Sequence, residues 1–502
     1  MLHLSFRAAA LLLFCLVFRQ FSVSAEGNQH PGKERGSSPG RYDPTWESLD
    51  KRPNPTWFDE AKFGIFLHWG VFSVPALVNE WFWEAWKGGN KEAVDFMEKN
   101  FPPDYTYQDF GRDFHASFFD PYAWTKIFEE AGAKYIVLTS KHHEGYTMWP
   151  SKYSFSWNAM DVGPGRDLVG ELAAAVRNSS KLHFGLYHSM FEWFHPLYLE
   201  DKANGYHTRH FPEAKALPEL YEIVNAYRPD VIWSDGEWEA SSDYWNSTGF
   251  ISWLYNDSPV KDTVVTNDRW GNDTRCKHGG FLTCEDSFDP GQLIPKKWEN
   301  CLTVDSHSWG YRRNMDIADI RSAQELIRAL ARAVSCGGNL LLNVGPTADG
   351  KIAAVFQERL RQIGSWLDVN GEAIYSTRPW IYQNDTVNSD VWYSCSKDNS
   401  TVYAIYLRAS GANITLGAPT FSKQTSVQVF GSDKFLKWTT DVKGHIVVKL
   451  PPRHELPDPA AWSVVLQLTN LKNKPTENPF KITAGTRPEV ASLWRNEKFA
   501  KN

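Results

Sequence analysis

From about Asp43 onward the chain repeats one hydrophobic pattern: apolar positions at helical spacing, a breaker, then a short apolar run ending in polar residues. Asp120-Pro121 reads as a helix start, an N-cap followed by a first-turn proline. Trp124, Ile127, Phe128 and Ala131 then share one face, and Gly132 closes the helix before Tyr135-Ile136-Val137-Leu138. Asp167 caps a second helix reaching Val176, with Phe184-Gly185-Leu186-Tyr187 behind it. Leu217, Leu220, Val224 and Tyr227 mark a third, halted by Pro229 ahead of Val231-Ile232-Trp233. Ser322 and Glu325 have capping-box spacing, Leu326, Leu330 and Val334 continue that helix, and Leu340-Leu341-Leu342 follow Gly337-Gly338. Four units of this kind predict a parallel sheet covered by helices.

The C-terminal edges of the apolar runs choose between parallel architectures. They read His68-Trp69, Lys141-His142-His143-Glu144, Tyr187-His188-Ser189, Ser234-Asp235-Gly236-Glu237, Asn267-Asp268-Arg269-Trp270, Asp305 and Asn343-Val344-Gly345-Pro346. Polar clusters at one end of successive strands are how a (β/α)8 barrel assembles a site. A doubly wound nucleotide fold would instead show a Gly-rich turn after its first strand, which Gly64-Ile65-Phe66 is not. After Gly371 helical periodicity stops, and short alternating runs at 390–395, 401–407, 425–430, 445–450 and 462–468 predict a β-sandwich. The expected organisation is a (β/α)8-like TIM barrel over 43–372, a β-sandwich over 373–470 and a polar tail over 471–502.

The N-terminus adds an address. A basic Met1–Arg7, the eleven-residue apolar run Ala8–Phe18 and the small residues Val23-Ser24-Ala25 make a signal peptide over 1–25. That run is too short to span a bilayer, which takes about 20 residues, so no membrane anchor is expected. A polar, Gly- and Pro-containing lead-in covers 26–42. Seven N-x-S/T sequons, at Asn178, Asn246, Asn256, Asn272, Asn384, Asn399 and Asn413, suit an exported, N-glycosylated protein, secreted or lysosomal. Of six cysteines, Cys15 leaves with the signal, and the remaining five cannot all pair. Cys276 and Cys284 are the closest pair, and other pairings stay open.

Of the 502 residues 42% are apolar, so a sizeable core is available. Lys plus Arg number 53 against 59 Asp plus Glu; the net charge of −6 argues against a nucleic-acid binder. There is no C-x-x-C pair, nucleophile elbow, P-loop or H-E-x-x-H, which removes support for a zinc ribbon, an α/β-hydrolase, a nucleotide hydrolase and a zinc protease.

Asp235 is the leading candidate for chemistry. The buried run Val231-Ile232-Trp233 delivers its carboxylate from a rigid strand into the barrel mouth, where it can act as nucleophile or acid/base. Capping the next helix or pairing with an arginine is its plain alternative. Glycoside hydrolysis needs a second carboxyl group, and Glu285, Asp286 and Glu299 lie in the long segment before Leu302. His68, His142 and His143 read best as neutral imidazoles donating hydrogen bonds to sugar hydroxyls. His142 and His143, with Glu144 beside them, make an awkward metal pair, because strand neighbours face opposite ways, and no cofactor is expected. Arg269 offers a fork to hydroxyls or a restraint on Asp235, and Glu80 beside Trp81, Phe82 and Trp83 combines an acceptor with aromatic rings.

Several stretches are recognisable together. Phe63-Gly64-Ile65-Phe66-Leu67-His68-Trp69-Gly70, Lys141-His142-His143-Glu144-Gly145 and Trp233-Ser234-Asp235-Gly236-Glu237-Trp238 resemble the animal α-L-fucosidases of glycoside hydrolase family 29. So do Asn267-Asp268-Arg269-Trp270-Gly271, Ser308-Trp309-Gly310-Tyr311-Arg312-Arg313 and the stretch from Gly338 to Pro346, in the same order. Tissue and plasma types both look similar, with a slight lean to the plasma type. The resemblance implies removal of terminal α-L-fucose from glycoproteins, glycolipids and oligosaccharides, with retention of configuration, no metal, and a homotetramer. It puts the nucleophile on Asp235 and fucose contacts on His68, Glu80, His142, Tyr187 and Arg269, with Trp233 and His143 nearby. The acid/base falls on either Asp286 or Glu299. A catalytically inactive, lectin-like fucose binder and an exoglycosidase for another deoxy or pentose sugar are the alternatives.

Overall fold

The computed structural model describes residues 40–179, 181–408 and 411–473. The expected signal peptide, the expected lead-in up to residue 39 and the tail beyond Asn473 lie outside the described residues.

Seven parallel strands form the first sheet: β1 (Phe63–Leu67), β2 (Tyr135–Lys141), β3 (His183–Ser189), β4 (Val231–Asp235), β5 (Val265–Thr266), β6 (Trp298–Thr303) and β7 (Gly338–Val344), in the order β5-β4-β3-β2-β1-β7-β6. The helices between them form where the apolar spacing requires. In α1 (Pro121–Glu130), Asp120 accepts from the backbone N–H groups of Tyr122 and Ala123 ahead of the N1 proline. Helix α2 is Leu168–Ser179 and α3 is Leu217–Tyr227. In α4 (Ala323–Ser335) Ser322 and Glu325 complete a reciprocal capping box. Gly338 has to be glycine: a Cβ there would lie 2.5 Å from the indole of Trp298 on the neighbouring strand.

The expected eight-stranded barrel is realised with seven strands and one vestigial segment. Between β5 and β6 run residues 280–282, where Gly280 and Phe281 donate to the Thr266 carbonyl at 2.9 and 3.2 Å. Leu282 donates to Lys297 at 2.8 Å and pairs in parallel with Trp298. One bridge is all this segment contributes, because Gly279, at φ +110°, turns the chain in and Thr283 leaves at once for the barrel mouth.

Residues of alternating parity separate two apolar layers. Phe66, Tyr135, Val137, Tyr187, Val231, Trp233, Phe281 and Cys301 fill the barrel interior, whereas Ile65, Leu67, Ile136, Leu138 and Ile232 pack outward with the helices. Beyond the barrel lie two antiparallel sheets, both formed from short strands. One has the order β12-β15-β10-β9-β8 and contains β8 (Arg378–Asn384), β9 (Val391–Cys395), β10 (Thr401–Tyr406), β12 (Ser426–Val429) and β15 (Val464–Thr469). The other joins β11 (Asn413–Leu416), β14 (Ile446–Lys449) and β13 (Trp438–Thr440), and a single apolar cluster lies between the two. Arg328 and Gln324 of α4 tie this part to the barrel through Asp390 at 3.3 Å and the Leu407 carbonyl at 3.0 Å. Among the described residues no helix is long and apolar enough to cross a membrane.

Candidate active site

A cavity of about 460 Å³ opens at the C-terminal ends of the strands. Strand alternation aims its central carboxylate: Val231 and Trp233 of β4 face the barrel interior, so Asp235, two further on, faces its mouth. Asp235 Oδ2 accepts from the Tyr187 hydroxyl at 2.9 Å, and Oδ1 from Arg269 Nη1 at 3.0 Å. Burial pushes the Asp235 pKa up. The charges of Arg269 and Arg275 and the hydrogen bonds from Arg269 and Tyr187 outweigh it and hold the group below the usual carboxylate range. The result is an ionised, oriented, water-poor carboxylate, which suits a nucleophile.

Arg269 is held at every edge. Its Nε donates to Thr283 Oγ1 at 3.0 Å, its Nη2 to Asp286 Oδ1 at 2.6 Å, and its face lies 4.6 Å above the Trp233 ring. One guanidinium therefore spans Asp235 and Asp286. The side chain of Asp286 is 53% exposed and so open to solvent.

His68, His142 and His143 all line the cavity, the last two with ring centroids 4.0 Å apart. Strand alternation does not separate them, because β2 shifts register between Thr139 and Lys141 and both histidines lie past its end. The Nδ1 atom of each ring has a partner inside the protein. His68 Nδ1 meets Asn343 Oδ1 at 2.8 Å, His142 Nδ1 meets Glu144 at 3.3 Å, and His143 Nδ1 meets Ser189 Oγ at 2.7 Å while that hydroxyl donates to Phe191. Asn343 Oδ1 and Ser189 Oγ are placed to accept the Nδ1 hydrogens of His68 and His143, and His143 Nε2 lies 3.7 Å from Asp235 Oδ2. Burial drives the His68 pKa down to about 3 and that of His143 well below its ordinary value, so both stay uncharged.

Glu80 lines the cavity too, and its Oε2 receives Ser308 Oγ, Trp309 N and Gly310 N at 3.2, 2.9 and 3.1 Å. It thereby fixes Trp309, a wall residue not among the sequence-derived candidates, although it sits in the quoted Ser308-Trp309-Gly310. Trp81, Trp238, Arg275 and Glu285 complete the rim. Glu237, fully buried beside Asp235, accepts from Arg275 at 2.9 Å, and burial followed by the Asp235 charge pushes its pKa up to about 7.

Glu299 is not where its candidacy as acid/base requires. It is the second residue of β6, near the closed end of the barrel, fully buried beneath Trp233 and not among the residues lining the cavity. Its oxygens accept from Tyr135 Oη at 2.5 Å and Trp233 Nε1 at 3.0 Å. Burial raises its pKa to about 7 against those two hydrogen bonds. A carboxyl group that binds its proton more tightly in the fold stabilises the protein below its unfolded pKa, and that contribution is lost as pH rises through about 7. Urea unfolding of Glu299→Gln should therefore shift in the variant's favour relative to wild type by about 3 kcal/mol between pH 4.5 and 7.5. A stability difference constant with pH would refute this environment for the group.

Behind the histidines four buried charges form a square. Lys141 Nζ lies 2.9 Å from Glu192 and 2.8 Å from Glu219, while Lys215 lies 3.3 Å from Glu192 and also pairs with Glu219. It ties the end of β2 to the segment after β3 and to α3. Lys215 and Glu219 stand at i,i+4 spacing, but Lys141 and Glu192 lie far from them along the chain, so the sequence did not announce the square.

Just ahead of Asp286 the long segment carries a Cys276–Cys284 disulfide. Both half-cystines and Ser287 have left-handed backbone, at φ 60°, 51° and 59°. Each such non-glycine residue costs about 1–3 kcal/mol and persists only where its surroundings dictate it. Cys301, Cys336 and Cys395 are buried free thiols.

Residues 32–372 match the family model "Alpha-L-fucosidase", and residues 383–469 match "Alpha-L-fucosidase C-terminal domain". The chain is 56% identical over 434 residues to the plasma alpha-L-fucosidase of Homo sapiens, covering 86% of this chain and 93% of that one. It is 53% identical over 442 residues to the tissue alpha-L-fucosidase of Homo sapiens, covering 87% and 94%. The solved Thermotoga maritima alpha-fucosidase in complex with fucose superposes with a TM-score of 0.74 at 32% identity, covering 86% of this chain and all of that one.

Proposed function

Because the chain belongs to the α-L-fucosidase family, we propose that it is a retaining exo-α-L-fucosidase acting on fucosylated glycans, with Asp235 as nucleophile and Asp286 as acid/base. The observation that carries this reading is Arg269 gripping both carboxylates on one cavity wall. Retaining hydrolysis needs two carboxyl groups about 5–5.5 Å apart, and the span of one guanidinium is on that scale. Asp286 is preferred to Glu299 because it reaches the cavity and solvent, whereas Glu299 is closed off under Trp233.

In the first step Asp235 attacks the anomeric carbon of fucose, the bond to the glycosidic oxygen breaks, and Asp286 gives that oxygen its proton. In the second, water attacks the same carbon, Asp286 takes the water's proton, and the ester to Asp235 breaks. Two inversions leave the configuration unchanged. Tyr187 and Arg269 bind the Asp235 carboxylate in its charged state and need not reorganise during the reaction. His68, His142 and His143 hydrogen-bond the sugar hydroxyls, and Trp233 and Trp309 provide apolar walls. An inactive fucose binder would have no use for two aligned carboxylates.

The test is a panel of 4-nitrophenyl glycosides with chromatographic detection of the released sugar. Release from the α-L-fucoside far ahead of the other sugars is expected. Binding without release by a folded protein would put the lectin-like alternative first.

Export belongs to the same reading, supported by the N-terminal run and the sequons. Asn246, Asn272 and Asn413 are exposed, whereas the side-chain nitrogens of Asn256 and Asn384 donate to the carbonyls of Tyr42 and Ser252, and of Ser389 and Val391. Glycopeptide mapping should find sugar on the first three and not on the last two. The homotetramer and the division at 372/373 are carried with this proposal; light scattering on the purified protein checks the first.

A further inference from the structure

We propose that Asp268 and the Cys276–Cys284 disulfide form a positioning clamp for the acid arm of the reaction, an inference that rests on Asp286 being the acid/base. Asp268 is fully buried one residue before Arg269 and touches nothing in the cavity. Its carboxylate collects the segment that carries Asp286. Oδ2 accepts from the backbone N–H of Cys276 at 2.8 Å and of Cys284 at 3.1 Å. Oδ1 accepts from the backbone N–H and the hydroxyl of Thr283 at 2.9 and 2.6 Å.

The second consequence runs through Thr283. Its hydroxyl hydrogen is committed to Asp268, so its free lone pair receives Arg269 Nε at 3.0 Å. Asp268 therefore sets the guanidinium that holds Asp235 and Asp286, and also the turn from which Asp286 projects. The backbone shows why a clamp is needed. Left-handed residues at Cys284 and Ser287 bracket Glu285 and Asp286, and such a turn relaxes unless it is over-determined. The disulfide and four hydrogen bonds to one carboxylate supply that determination. On the other flank of the same disulfide Arg275 is delivered to the cavity rim. Asparagine cannot replace Asp268, because its amide nitrogen would face N–H donors.

The experiment measures kcat/KM on two aryl α-L-fucosides, the 4-nitrophenyl compound and the unsubstituted phenyl compound, whose far poorer leaving group depends on the proton from Asp286. Asp268→Asn and the double variant Cys276→Ser/Cys284→Ser break the clamp at different points, so one decides the matter if the other does not fold. Both should lose about 20-fold more on the phenyl fucoside than on the 4-nitrophenyl fucoside, the difference reporting the misplaced acid and the shared part the loosened Arg269. An equal fall on the two substrates, as from general loosening, or no fall at all overturns the clamp. Asp286→Gly, assayed alongside, separates the two ideas. If its own loss is the same on both substrates, the acid assignment falls and takes the clamp with it. If its loss follows the leaving group while that of the clamp variants does not, the clamp alone is wrong.

Discussion

Asp235→Gly should lower kcat/KM on 4-nitrophenyl α-L-fucoside by about 10⁴-fold or more while the protein folds normally. The carboxylate is the electron-pair donor in the first step, and its neighbour Glu237 is not among the residues lining the cavity. The substitution spares the strand, since β4 pairs with β3 through backbone groups at Ser189 and Asp235. It also spares the cavity walls, and Arg269 keeps Thr283 and Asp286. Added azide should restore part of the rate by attacking fucose directly in the vacated space. That is one displacement, so the expected product is the β-configured fucosyl azide, readable by NMR. A variant retaining more than a few per cent of wild-type turnover would remove Asp235 from the nucleophile role.

Asp286→Gly should behave differently in each of these readouts. Losing general acid catalysis costs about 10²–10⁴-fold on a poorly departing alcohol and much less on 4-nitrophenolate, which leaves without a proton. With the activated substrate the covalent intermediate still forms and then waits for a base. Azide needs no base, so it should accelerate turnover and give the α-configured azide, by the second of two inversions. Glu299→Gln, buried under Trp233, should show neither azide acceleration nor an azide product. If Glu299→Gln were rescued and Asp286→Gly were not, the assignment would reverse. The opposite stereochemistry of the two azide products separates nucleophile from acid/base within one pair of experiments.

How much of this was legible in the sequence depends on whether periodicity survived locally. Asp235 was legible because Val231-Ile232-Trp233 is a clean buried run and the parity of a strand carries two residues further. The alternating runs after Gly371 coincide with β9, β10, β12, β14 and β15, while β13, three residues long with none buried, and β11, as long as β12 and β14, were passed over. Glu299 was misjudged for a physical reason. Strand β6 begins at Trp298, but Glu299 and Asn300 break its apolar texture, so the run looks as if it begins at Leu302. Those polar groups are tolerated because the barrel interior satisfies Glu299 with Tyr135 and Trp233, partners far along the chain. His142 and His143 were misjudged through the register shift in β2, which residue type does not announce. The network around Asp268 was equally hidden, although its members lie within 17 residues, because it is built of loop hydrogen bonds rather than repeating spacing.

The square of Lys141, Glu192, Lys215 and Glu219 constrains the history of the site as well as its shape. Two positive and two negative corners are buried, so neutralising any one strands a partner's charge at about 3–5 kcal/mol, a large part of a domain's stability. Exchanging an opposite-charge pair for apolar residues of similar volume costs far less. Descendants of this chain are thus separated from an uncharged version of the same floor by a valley that single substitutions cross only at a loss. Changes at these four positions should be inherited in pairs.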